Sequence, residues 1–157
     1  MPLVEWIGAW PGAVLLQRSG TAYLLVNAVH ILGVALLVGG ILPLDLRLAG
    51  AFRSVPLATV GPFLMRSAAC GLVLAIVTGL WLFTVKPAEY LANAAFLWKL
   101  ALLALALLNV GMQHGNRRFR TALAGRGAPA ASVRLVAGCS AVLWLSVLVA
   151  GRWIGFV

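Results

Sequence analysis

At 157 residues, 63% of them hydrophobic, with a mean hydropathy of +1.05, this chain lies outside the composition of soluble globular proteins and reads as a single integral membrane domain, 1–157. Its formal net charge of +9 does not signal nucleic acid, because the bases are dispersed among short loops and helix ends, with no basic helix or aromatic platform. Cys70 and Cys139 sit inside apolar segments and form no CxxC, which argues against a disulfide framework.

Residues 3–16 place Leu3, Trp6, Ile7, Trp10 and Val14 at helical spacing but are too short and interrupted to span a bilayer, so they predict a half-helix lying in the interface. An acid in MPLVEWIG and the interruption at Trp10-Pro11-Gly12 speak against a cleaved signal peptide. The first span is expected over 22–44, apolar apart from Tyr23, Asn27 and His30, since about 20 such residues cross the hydrocarbon core. Those three side chains leave the helix on one face, which should look into protein. Gly33, Gly39 and Gly40 lie next to it, where another helix or a flat cofactor could come close. Asp45 and Arg47 flank Leu46 as a pair at a water interface, since an acid and a base in hydrocarbon are both costly.

The stretch from Leu46 to Pro62 reads as a loop, with Pro56 and Pro62 as breakers. The second span is expected over 65–85, the third over 94–113 and the fourth over 133–155, the last opening after Ser132 as N-cap. Glu89 and Asn93 occupy a short connection, and His114 to Ser132 reads as a polar, mobile, cationic loop carrying Arg117, Arg118, Arg120 and Arg126. The expectation is therefore an all-α, four-transmembrane-helix bundle with a short N-terminal interfacial helix. Arg47, Arg53, Arg66, Arg117, Arg118, Arg120, Arg126 and Arg134 belong to the first and third loops and their flanks, against Arg18, Lys86, Lys99 and Arg152 on the other side. That excess places the first and third loops in the cytoplasm and both termini outside.

By helical rise, Asn27 lies roughly 9 Å and His30 roughly 13 Å below the outer interface, with Thr78, Lys99, Trp144 and Arg152 within one or two turns of that level. These residues and Tyr23 form a candidate ligand pocket centred on His30, because an ionisable group in mid-membrane marks a functional site by default. The same residues also fit a structural reading in which Lys99 and Arg152 snorkel, Trp144 is core and Thr78 bonds its own backbone. A second grouping, Cys70, Cys139 and His114 with Met65 and Met112 near the opposite interface, offers soft donors of the kind Cu(I) takes, although buried sulfur residues are also ordinary packing residues. Asn109 and Gln113 share a face of the third span with Lys99 and Ala106 and read as amides joining helices.

Two-imidazole haem ligation is excluded within one chain, because His30 and His114 are separated by roughly 15 Å along the membrane normal. Haem held by His30 and a non-histidine or partner ligand remains open, with Gly33 making room. No histidine lies at the depth of Ser140 to serve as its base, and no two of the three acids fall near one another in the sequence, so no catalytic residues are assigned and no enzyme is expected.

The run His30-Ile31-Leu32-Gly33 through Gly39-Gly40, with Asp45-Leu46-Arg47-Leu48 and Gly151-Arg152, resembles a family of small uncharacterised bacterial four-helix membrane proteins over nearly the whole chain. That family implies a fold but no activity. Val29-His30 with Leu37-Val38-Gly39-Gly40 is more distantly similar to a helix of the copper-resistance D (CopD) membrane domain, which has a Trp where this chain has Leu37. The resemblance implies copper handling. Two function classes follow: binding or permeation of a metal ion or redox ligand at His30, and a non-catalytic accessory subunit of a larger respiratory or transport complex. Besides the lipid bilayer, the partners expected are membrane-complex subunits or a second copy of the chain.

Overall fold

The computed structural model describes residues 2–156. Helices α1 (Pro2–Ala9) and α2 (Pro11–Arg18) precede α3 (Gly20–Ala49), which is followed by α4 (Leu57–Phe83), α5 (Pro87–Ala92), α6 (Ala94–Gly115), α7 (Arg117–Leu123) and α8 (Ala131–Trp153). There is no strand among the described residues. Among the described residues, α3, α4, α6 and α8 are the helices long and apolar enough to cross a membrane, and they run alternately up and down, so the start of α3 and the end of α8 lie at one end of the bundle. That end is called the terminal end below, and the opposite one, with the α3–α4 and α6–α8 connections, the loop end.

The helices are longer than the sequence suggests. Helix α3 continues past residue 44 to Ala49, with Pro43 inside it, and ends on Gly50 in the left-handed conformation (φ +115°). Helix α4 begins at Leu57 rather than near Met65 and runs through Pro62. Apolar packing at the loop end outweighs the hydrogen bond each proline removes. Leu44, Leu48 and Leu57, which the sequence reading leaves at the edge of a span or in a loop, belong to a buried cluster with Phe119, Ala122, Val133 and Ala137. The expected cationic loop accordingly contains helix α7, started by the Asn116 side chain and anchored by Phe119, which is 1% exposed. The arginines around Phe119 and Ala122 hide this short apolar face from a hydropathy reading.

The expected single N-terminal half-helix is two helices, broken where Trp10 precedes Pro11. They are fastened to the far end of α4. Gln17 Nε2 donates to the carbonyls of Gly8 (3.0 Å) and Val85 (3.1 Å), and Trp81 Nε1 donates to the Gly12 carbonyl (3.0 Å). The Trp10 ring covers the Gly12 Cα, where any Cβ would overlap it. Helix α3 then starts at once, with the Ser19 hydroxyl accepting from the Ala22 N–H.

In lipid, helix pairing depends on close packing rather than on water exclusion. Helix α3 packs most extensively on α4, through glycines. A Cβ added at Gly33 would stand 2.7 Å from the Ala75 nitrogen, one at Gly40 2.7 Å from the Leu64 carbonyl oxygen, and one at Gly71 would overlap the Leu37 backbone. Gly39, by contrast, faces open space. Helices α6 and α8 pair through amides: Asn109 Nδ2 donates to the Val136 carbonyl (3.3 Å) and Gln113 Nε2 to that of Val133 (3.2 Å). Both side chains are buried, so they join helices as the sequence reading expects. Leu37, Ala68, Ala106 and Trp144 close the centre where all four long helices meet.

Gly71→Ala is expected to destabilise the detergent-solubilised protein by about 1–3 kcal/mol, because the added methyl must separate two backbones. Gly39→Ala, with nothing to meet, is expected to leave stability unchanged or raise it by up to about 1 kcal/mol through helix propensity. Thermal unfolding of both variants followed by circular dichroism checks the contrast.

Candidate functional site

His30 stands on the face of α3 that meets α4. It is half-buried, and its ring lies on Gly79, where a Cβ would be 3.0 Å from Cε1. No larger residue leaves that seat. Nδ1 lies 3.0 Å from Thr78 Oγ1. The Thr78 hydroxyl has one proton and directs it to the Leu74 carbonyl at 2.6 Å, so its oxygen is left to accept. That oxygen can take a proton from Nδ1, and the ring also hydrogen-bonds the main chain at Ala75. Lys99, on α6, is the cation that acts on this ring. Its stem runs along Gly151 of α8, with Cε 3.5 Å from where a Cβ would stand.

The seven residues expected to form one pocket separate into layers. His30, Thr78 and Lys99 share a level, with Gly79 and Gly151 as the small residues that admit them. Asn27 is half-buried one turn nearer the terminal end on the face of His30. Trp144 is 2% exposed and packs with Leu37 and Ala106, roughly 10 Å nearer the loop end by helical rise, so it is a core residue beneath the site. Tyr23 lies at the opposite extreme and pairs with Tyr90 of α5, whose hydroxyl is pushed above the ordinary phenol range by burial and then by Tyr23 and Glu89. Tyr90 also belongs to an aromatic group with Phe83 and Phe96, at centroid distances of 6.1 and 5.3 Å. Arg152 is exposed and lies over the Phe156 ring at 4.6 Å, away from His30. A cavity of about 540 Å³ opens at the terminal end between α6 and α8, beside Trp98, Ala150 and Trp153, and His30 does not line it.

Asp45 departs from the expected interface pair with Arg47. It is 4% exposed and points into the bundle, where Ser140 of α8, also 4% exposed, hydrogen-bonds its carboxyl group. Its Oδ2 has no partner. Arg47 turns the other way, donating through Nε to the Val55 carbonyl (2.8 Å) and through Nη2 to that of Arg53 (3.3 Å). Adjacent side chains on a helix point about 100° apart, and two positions therefore separate this acid and base onto different faces.

The sulfur grouping does not assemble. Cys70 and Cys139 are both exposed on the outside of the bundle, and His114, also exposed, bonds the Val110 carbonyl through Nδ1 (2.9 Å). No group of three or more His, Cys, Asp or Glu able to hold a metal occurs among the described residues. The space expected at Gly33 for a flat cofactor is filled by the α4 backbone, so a haem using that room does not fit. Sequence reasoning missed the seat at Gly79 and the Asp45–Ser140 contact. The Thr78-Gly79 pair inside an apolar span is the signal for the first.

A family described only as one of unknown function, DUF6644, matches residues 5–157. The chain belongs to that family. No match is found among curated proteins or solved structures. The family match spans all four long helices, so His30, Thr78, Lys99, Asp45 and Ser140 all lie within it.

Ser140→Ala is expected to destabilise the protein by about 1–3 kcal/mol, by leaving a second oxygen of a buried carboxyl without a partner. Asp45→Asn retains an oxygen and adds an amide donor, and is expected to cost less. Thermal unfolding of the two variants in one detergent gives the order.

Proposed function

We propose that this membrane protein binds a metal ion of the copper type, or a small redox ligand, through Nε2 of His30, in the periplasmic half of the bacterial inner membrane with both chain termini on the periplasmic side. The carrying observation is the contact of Nδ1 with the Thr78 hydroxyl. Thr78 directs its proton to Leu74, so its oxygen can accept from Nδ1 of a ring seated on Gly79, and the tautomer protonated at Nδ1 is the one that offers Nε2 to a ligand. Metal-ligating histidines are held in this way, with the second nitrogen donating to an oxygen that sets the ring's orientation. Asn27 lies near enough along α3 to serve the same ligand, and Lys99 sets the local potential against a second positive charge.

One imidazole is a single ligand. A metal held there takes its remaining donors from a second copy of the chain, from a partner or from the ligand that carries it. The copper identity rests on the resemblance to the copper-resistance D membrane domain, and the orientation on the base count. No catalytic role is assigned. The second reading, a non-catalytic accessory subunit of a larger respiratory or transport complex, is favoured by Ala28, Ala35 and Gly39, which leave an exposed strip of small side chains along α3 for a neighbouring helix.

Metal analysis and absorption spectroscopy of the detergent-purified protein test the proposal. Stoichiometric metal or a visible chromophore is expected in the wild type and in a Cys70→Ser/Cys139→Ser variant, and is lost in His30→Ala with helix content and size-exclusion profile intact. Thr78→Val, which removes the acceptor for Nδ1, is expected to weaken binding about 10–100-fold. Equal metal content in wild type and His30→Ala, or none in either together with loss of a co-purifying subunit in a Gly39→Leu variant, overturns the ligand reading, the latter in favour of the subunit.

A further inference from the structure

At the loop end, the α3–α4 connection, the end of α7 and the start of α8 enclose a cavity of about 730 Å³ that none of the residues discussed for ligand binding lines. Arg47, Arg53 and Arg134 all do. Each is oriented by a hydrogen bond from its Nε to a main-chain carbonyl: Arg47 to Val55 (2.8 Å), Arg53 to Gly50 (3.1 Å) and Arg134 to Ala49 (3.0 Å). A guanidinium held through Nε still has terminal N–H groups to present, which match a phosphate or carboxylate; in Arg47, Nη2 also donates to the Arg53 carbonyl (3.3 Å), leaving Nη1. Two of the three guanidinium groups converge on Gly50. A Cβ there would be 3.2 Å from Arg134 Nη2 and 3.5 Å from Arg53 Nη2, so no more than the sum of those distances separates the two nitrogens.

Like charges brought this close repel unless an anion joins them. No acidic side chain among the described residues lies there. Of its three acids, Asp45 is buried against Ser140, Glu89 pairs with Lys86 (3.0 Å) at the terminal end, and Glu5 belongs to α1, also at the terminal end. The surroundings add positive potential. Helix α4 begins in the cavity wall, after Pro56 and without a side-chain cap, and the equally uncapped start of α8 follows Pro129 of the same wall, so two positive helix ends lie close by. Gly50, Gly125 and Gly127, all at positive φ, keep side chains out of its walls.

We propose that this cavity binds a phosphate-bearing anion through Arg47, Arg53 and Arg134. The phosphate of an anionic lipid headgroup and free phosphate share this chemistry, and the location at a membrane-facing end of the bundle admits both. The site is independent of His30: no residue is common to the two, and they lie at different ends of α3.

The experiment follows thermal unfolding of the detergent-purified full chain with added inorganic phosphate, with phosphatidylglycerol, and with phosphatidylcholine as the zwitterionic control. Phosphatidylglycerol alone raising the melting temperature identifies a lipid headgroup, and inorganic phosphate doing so identifies a soluble source; each supports the site. In both cases the shift shrinks with added salt, and Arg134→Gln weakens the apparent affinity at least about tenfold, the loss of one charge-assisted hydrogen bond. Arg118→Gln, on the exposed side of α7, leaves it unchanged. Because Arg134 also bonds the end of α3, Ala58→Asp is the second variant. It places a carboxylate in the cavity, at the start of α4 where an acid is tolerated, and abolishes the shift without touching any arginine. No shift with either anion in the wild type, an equal shift with phosphatidylcholine, or a full shift retained in Ala58→Asp overturns the proposal.

Discussion

The close approach of α3 to α4 is the constraint on which the rest of the structure depends. Gly33, Gly40 and Gly71 let two backbones touch over several turns, and lipid offers no alternative driving force of comparable directionality. That contact fixes the rotation of α3. With Gly33 turned toward Ala75, His30 one turn earlier has to meet Thr78 and Gly79, and Asp45 near the other end has to turn inward to Ser140. The polar groups of α3 are therefore placed by its small residues, which carry no chemistry of their own.

Across the bundle, α6 and α8 solve the same problem differently. Asn109 and Gln113 each spend an amide on a carbonyl of α8, and hydrogen bonds replace glycines as the means of holding two helices in register. Trp144 then fills the middle, where the two pairs face each other. One pair is held by shape and the other by polarity, and His30 stands on the shape-held side, reached from the other by Lys99 alone among the cations.

The four long helices were legible because apolar length is a strong signal, and Tyr23, Asn27 and His30, spaced by four and three, are each half-buried on α3. The layering of the pocket was not legible. Depth computed from helical rise places Trp144 within two turns of His30, but only packing reveals that its ring points to Leu37 and Ala106. Proline misled at Pro62, which a sequence reading treats as a breaker while neighbouring helices tolerate the lost bond. Helix α7 was hidden by its arginines, and Asp45 by the expectation that an acid seeks water. In each case a tertiary partner, Phe119 under the bundle or Ser140 beside Asp45, overrode a sound local rule.

The amide of Gln17 grips two carbonyls at once, one eight-residue helix behind it and one at the end of α4. A single side chain thus works as a buckle, tying the first two helices to a turn far along the chain. Traction on the amino end would therefore load two routes at once, the direct passage through Ser19 into α3 and the corner between α4 and α5.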